Sequence, residues 1–462
     1  LIPFTPDIIH AHDWQTGMIP ALLRIQYDSL PRYHGIRTVF TIHNLQYQGI
    51  FGIKDVQDML GLPNDVFTDD KLEYFGNVNF LKAGIVYADE VTTVSPTYAE
   101  EIQTAYYGER LDGLLRARRN HLSGILNGLD VREFDPANDR RIAATYTAED
   151  LSGKAVNKRV LQEELGLELR PEVPLIGMIG RLSSQKGLDL VDYVIADIMR
   201  EDLQLVCLGL GESRYVNLFS WAEQNYPGRV AARFVMDNNL AHRIYAGADL
   251  FLMPSAFEPC GLSQMIALRY GTVPIVRETG GLRDTVLSYN EFTGAGNGFS
   301  FFNYNAHDML NVIRRALYFY HERKDVWATL QHRGMTEDYS WLHSSRRYLE
   351  LYNKLLPALL GPGAEEETQQ PAPEQEPKPE PRKPHAVDKK SKVTQSAKAE
   401  EEAPAAEEVE KPKPKASAKP RKTPAKAPAG KAAAKKQPAA DADSETAKKP
   451  AARARKPKAE QS

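Results

Sequence analysis

Short apolar runs recur along the chain, each followed by a turn marked by Gly or Pro and then by sequence with helical spacing. In the first half the runs are Asp7–Ala11, Thr38–Ile42, Glu90–Val94 and Leu122–Leu126, with helical patterns such as Thr16–Gln26 and Val78–Tyr87 between them. After a polar connection near Thr147–Asn157 a second series begins, with Val173–Ile179, Leu203–Leu208, Val230–Val235, Leu250–Met253 and Val273–Val276. Strands alternating with helices predict βαβ units and parallel sheets. Two such series predict an α/β protein with two Rossmann-like domains whose parallel sheets face a cleft, over residues 1–157 and 158–338. Ligands of such sheets bind beyond the carboxyl ends of the strands. Tyr348, Leu351, Tyr352 and Leu355 share one helix face, which predicts a closing crossover helix within 339–360.

The pattern stops at Gly361. All 41 aromatic residues precede it, and residues 361–462 hold 16 of the 30 prolines and no Leu, Ile or Met. Such a segment buries too little apolar surface to offset its ordering entropy, so a disordered tail is expected over 361–462. Charge divides at the same point. The chain holds 58 Lys+Arg and 61 Asp+Glu; the tail takes 23 and 17 of them, leaving a body of 35 and 44, net −9. An acidic body argues against nucleic acid as its main substrate. Within the tail, residues 411–462 carry 16 basic and 4 acidic groups in Lys-Pro-Ala-rich sequence. That composition suits a solvated tail or a polyanion-binding arm. Two cysteines, Cys207 and Cys260, exclude a disulfide scaffold and suit a reducing, cytoplasmic location. No run approaches the ~18 residues of a membrane span, and no signal peptide is expected. The chain opens at Leu1 in a segment already leading into a strand, so a fragment lacking its beginning is expected.

Six segments carry candidate chemistry. GMIGRLSSQKGLDL, at 177–190, is a strand, a loop and a helix start, with Arg181 and Lys186 projecting from the loop. Two cations at a strand's carboxyl end beside a helix N-terminus suit a diphosphate, and equally describe an ordinary surface loop. FEPCGL, at 257–262, puts Glu258 before a helix start, where it could accept from sugar hydroxyls or serve the helix dipole. RETGGL, at 277–282, brings two glycines that let backbone N–H groups approach a phosphate, or make a plain tight turn. HAHDW follows the first strand. His10 and His12 alternate with Ala11 and are expected to face opposite sides, a poor pair of metal ligands, with His12 reaching the cleft. His43, Asn44 and Tyr47 in TIHNLQYQG repeat the logic, and Asn127 in ILNGLD sits at a strand end. No metal is expected: the body has no Asp-x-Asp metal motif, and it has no P-loop and no G-x-S-x-G elbow.

Together and in order, HAHDW, TIHNLQYQG, NFLKAGIVYADEVTTVSPTYAEEI, ILNGLD, GRLSSQKGLDL, PSAFEPCGLSQ, GTVPIVRETGGL and DYSWLHSSRRYLELY resemble the bacterial branch of the starch and glycogen synthase family, from about Pro6 to Leu356. The resemblance implies a GT-B fold and retaining glucosyl transfer from ADP-glucose to the non-reducing 4-hydroxyl of an α-1,4-glucan, with no cofactor. By carry-over, Arg181 and Lys186 neutralise departing ADP. Glu258 and the Cys260, Gly261 and Leu262 backbone hold the donor glucose. Thr279, Gly280 and Gly281 lie near the diphosphate, His12 lies against the transferred sugar, and Asn127 is close to it.

Three departures stand out. The family's N-terminal Lys-x-Gly-Gly-Leu loop is absent, so the chain as written is expected to be inactive. The position suited to contacting adenine is Met236, with Asn238 where Glu is common, which keeps another donor base open. Eight residues after Glu258, where the wider clan often has a second Glu, stands Ile266, as suits this branch. The competing readings are a GT-B glucosyltransferase with a different donor or acceptor, a glucan-binding regulator without catalysis, and a nucleic-acid-associated protein acting through its basic tail.

Overall fold

The computed structural model describes residues 4–356. The predicted tail 361–462, its polyanion-binding arm and the end of the crossover segment lie outside them. In chain order the first strands are β1 (Ile8–His12), β2 (Arg37–Ile42), β3 (Ile50–Gly52), β4 (Glu73–Tyr74), β5 (Asn77–Asn79), β6 (Glu90–Thr93) and β7 (Leu122–Gly124). β1, β2, β6 and β7 pair in that order as a parallel sheet. The second sheet holds β8 (Leu175–Ile179), β9 (Gln204–Leu208), β10 (Val230–Arg233), β11 (Leu250–Met253), β12 (Val273–Arg277) and β13 (Phe299–Phe301). It is parallel throughout, in the order β10-β9-β8-β11-β12-β13. That is the doubly wound 3-2-1-4-5-6 order, and its direction reverses between β8 and β11. A ligand crevice is therefore expected beyond Ile179 and Met253.

The apolar runs predicted these parallel strands to within two residues at most ends, because both faces are covered by helices. Ile176, Leu205, Leu252 and Ile275 fill one side with the helix Leu188–Ile198, and Leu175, Val206 and Ala231 face Leu161 and Ile244 on the other. The small antiparallel sheet β3-β5-β4 and the strand β13 escaped the sequence reading, since strands of two or three residues carry almost no period.

Two expectations need correction. The supposed polar connection Thr147–Asn157 enters a helix at Ser152 that runs to Leu165. Its inner face looked polar because it carries Lys154, Asn157, Lys158 and Gln162, all buried. Each is satisfied. Lys154 Nζ reaches the carbonyls of Ala246 and Tyr270 and the Thr272 hydroxyl at 2.7–3.0 Å, and Lys158 pairs with Asp249 at 2.7 Å. Burial lowers the Lys154 pKa to about 7. The helical pattern Thr16–Gln26 is broken into Asp13–Thr16, Met18–Leu22 and a wider-wound turn Leu23–Tyr27. Gly17 stands at the first interruption with a right-handed helical backbone, and a Cβ there would meet the Phe80 carbonyl at 2.1 Å.

The last helix, Trp341–Leu355, returns to the first sheet, where Leu351 packs on Val39 and Ile125. A cluster including Val94, Leu129, Tyr146, Phe251, Met265 and Leu282 joins the two halves. Among the described residues no helix is long and apolar enough to cross a membrane.

Candidate active site

The crevice is built where β8 and β11 end. After β8 the chain turns through Gly180 and Arg181 to a short turn Ser184–Lys186, and Gly187 opens the helix Leu188–Ile198 with φ +68°. Any Cβ at Gly187 would lie 1.9 Å from the Pro254 carbonyl, so only glycine lets the loops after β8 and β11 touch. That contact brings Lys186 Nζ to 2.6 Å from Glu258 Oε2, which also accepts from the Ser255 hydroxyl at 3.1 Å. Glu258 is buried and Lys186 half-buried, so the pair is partly withheld from water.

Two cavities open here. One, of about 390 Å³, is walled on the second-sheet side by Arg181, Lys186 and the segment Glu258–Ser263, and on the first-sheet side by His43, Asn44, Tyr47 and Asn127. The other, of about 680 Å³, runs over the ends of β8 and β9 and is mostly apolar, with Leu208, Leu210, Val235, Met236 and Asn238 in its wall. Gly180 and Arg181 line both. The Arg181 guanidinium donates to the Tyr47 hydroxyl across the cleft at 3.0 Å. Ile266 is buried in the helix Ser263–Arg269, and Cys260 is buried beneath the cavity floor, its thiol pushed up to about 12 chiefly by burial. Cys260 thus offers its backbone, not a thiolate.

Thr279, Gly280 and Gly281 are buried behind that floor and line neither cavity. Their glycines serve packing. A Cβ on Gly280 would meet the Glu258 carbonyl at 2.1 Å and one on Gly281 the Cys260 carbonyl at 2.1 Å. The Thr279 hydroxyl and Gly280 N–H donate to the Glu101 carboxylate, a residue that carried no signal in the sequence.

The histidines correct another expectation. His10 and His12 do not face opposite sides; their rings stack at 4.3 Å, because side chains two apart on a strand share a face. His12 Nδ1 lies 3.0 Å from His43 Nε2, and His43 lines the cavity. The His12 pKa is lowered by burial and then by the neighbouring His43. Asp13 accepts from the His43 N–H at 2.8 Å with φ +55°, a strained conformation held by that contact. Asn127 lies three residues past the end of β7, on the cavity wall.

The family model of the starch synthase catalytic domain matches residues 1–117, and that of group 1 glycosyl transferases residues 164–326. The glycogen synthase of Geobacillus thermodenitrificans is 58% identical over 355 residues, 77% of this chain and 73% of that protein. The chain belongs to the starch and glycogen synthase family. The glycogen synthase of Bacillus anthracis is 52% identical over the same length. In structure the chain is similar to the catalytic domain of starch synthase IV from Arabidopsis thaliana bound to ADP and acarbose, with TM-score 0.71, 37% identity, and coverage of 76% of this chain and 73% of that one. The fold is therefore GT-B, the architecture of this family.

Proposed function

We propose that the chain moves glucose from ADP-glucose to the non-reducing 4-hydroxyl of an α-1,4-glucan, with retention at the anomeric carbon. One observation carries this: the Lys186–Glu258 pair and Arg181 stand at the strand-order reversal, directly across the cleft from His43 and Asn44. The apolar cavity beside it has the size and lining of a nucleoside seat, with Met236 against the base. In that pose the diphosphate lies over Arg181 and Lys186, which offset the charge it gains as the C1–O bond breaks. Glu258 accepts from hydroxyls of the donor glucose, and the backbone of Cys260, Gly261 and Leu262 cups the ring. Asn127 and the His12–His43 pair bound the sugar on the opposite wall. The acceptor O4 attacks C1 on the face that ADP leaves, and its proton passes to a departing phosphate oxygen. The shared names of the relatives and the ADP and acarbose of the plant structure support both ligands. Two free cysteines support a reducing, cytoplasmic setting for the reaction.

Met236, 87% exposed at the rim of the base cavity, favours one second reading, a donor with another base. Incorporation of labelled glucose into glycogen from ADP-glucose and from UDP-glucose, by a version of the chain that carries the family's N-terminal Lys-x-Gly-Gly-Leu loop, tests both. Transfer from ADP-glucose alone is expected. Transfer from UDP-glucose alone moves the donor assignment, and transfer from neither, with no binding of ADP, ends the enzyme reading.

A further inference from the structure

The helices Pro96–Glu101 and Gly280–Thr285 belong to opposite halves of the molecule and pack against each other beneath the cleft. Each has six residues, too few to be stable alone. Their ends are exchanged. Glu101, in the last turn of the first helix, accepts from the Gly280 N–H at 3.1 Å and from the Thr279 hydroxyl at 3.0 Å. Asp284, in the last turn of the second, accepts from the Thr97 N–H at 2.9 Å and from the Thr97 hydroxyl at 2.5 Å. Each helix thus lends a carboxylate to the positive N-terminal end of the other, at a place where the Thr279 side chain makes no capping bond to its own helix. Beside them, Arg277 donates to the Tyr107 hydroxyl across the same junction at 3.0 Å.

This junction is mechanically tied to the site. Gly280 and Gly281 rest on the carbonyls of Glu258 and Cys260, and the Gly281 N–H donates to the Glu258 carbonyl at 3.1 Å. If the second helix shifts, the segment that holds Glu258 shifts with it.

We propose that Glu101 and Asp284 are positioning residues that form a reciprocal capping latch. The latch sets how closely the two cleft walls approach, and transmits that setting to the Glu258–Cys260 segment. It rests on the reading of the cleft as a nucleotide-sugar site. Neither residue touches the cleft cavity, so the latch acts through geometry alone.

The test compares wild type with Glu101→Ala, Asp284→Ala, the double variant and the isosteric Glu101→Gln, all in the full chain. Small-angle scattering reads the separation of the two halves without ligand, and calorimetry reads ADP affinity. Each alanine variant is expected to enlarge the radius of gyration and to weaken ADP roughly fivefold or more. The double variant is expected to lose less than the product of the single losses, since each cap depends on the same helix pairing. Glu101→Gln keeps an acceptor oxygen and the side-chain shape, so it is expected to fold and to fall between wild type and Glu101→Ala. Folded variants with wild-type dimensions and ADP affinity within about twofold overturn the latch. If wild type itself fails to bind ADP, the nucleotide-sugar reading fails, and the scattering series still decides whether the two caps hold the halves together.

Discussion

Lys186 and Glu258 illustrate how much a single pair can be asked to do. The 2.6 Å contact draws Lys186 toward a buried carboxylate, which orients the ammonium before any substrate arrives. Glu258→Gln keeps the shape and removes the charge, and in a version carrying the N-terminal loop turnover is expected to fall by about 100-fold or more. Near-normal rates of glucose transfer in that variant would remove Glu258 from the mechanism. Lys186→Ala leaves the carboxylate with Ser255 as its remaining side-chain partner, and a loss of about 2 kcal/mol in stability is expected, read as a lower denaturation midpoint. His10 makes a separate prediction. It sits between the Tyr352 hydroxyl at 2.7 Å and the Thr41 hydroxyl at 2.6 Å, stacked on His12. Burial, then the neighbouring His12 and His43, lower its pKa from 6.5 to about 4. The unfolded chain therefore takes up this proton near pH 6.5, while the folded chain refuses it until about pH 4. Stability should fall as pH drops across that window and level off below it, by at most about 3 kcal/mol before solvent screening reduces it. Urea denaturation of wild type and His10→Gln over that range checks it. Equal slopes would acquit His10.

At the scale of elements, the glycines separate into two kinds. Gly61 ends the helix Ile53–Leu60 with φ +63°, and a methyl added there would meet no atom within 4 Å, so Gly61→Ala should cost only the strain of a left-handed alanine, about 1 kcal/mol. Gly281 has an ordinary backbone but its added methyl would lie 2.1 Å from the Cys260 carbonyl. Gly281→Ala must push two backbone segments apart, at about 3 kcal/mol or more, and should weaken ADP binding as well. Thermal melts of both variants with and without ADP distinguish them; equal losses would show that the Gly281 contact is not tight. The helix Ser152–Leu165 shows the opposite problem. Its buried lysines are invisible to a hydrophobic count, yet each has its oxygen partners in place, so a polar sequence forms an inner face.

For the whole molecule, the decisive geometry is the meeting of two sheets. The first contributes His43, Asn44 and Asn127, the second Arg181, Lys186 and Glu258, and the two sets wall one cavity together. A ligand that bridges them should stabilise the molecule as a unit. At a free ADP concentration ~100 times its dissociation constant the gain is about 2.7 kcal/mol. Differential scanning fluorimetry should show a rise of a few degrees with ADP and a smaller one with UDP. A larger rise with UDP would shift the donor assignment through Met236, the residue that stands where the base is expected.

Period and punctuation determined a good deal alone. The all-apolar strands, the helical spacing of Tyr348 to Leu355 and the turn at GRLSSQKG are local properties, written in a few consecutive residues. Arg181, Lys186 and Glu258 could be singled out because cations and acids at strand ends are chemically conspicuous. What the tertiary structure decided is everything that depends on two distant segments touching. Glu101 and Thr279 are 178 positions apart, and Thr97 and Asp284 are 187 apart, so no window of sequence shows either cap. The glycines of RETGGL signalled a close approach, but only the fold reveals that what approaches is the Glu258–Cys260 backbone. The contact of His12 with His43, 31 positions away, likewise follows from the path of the chain after the strand ends, which hydrophobic period does not encode.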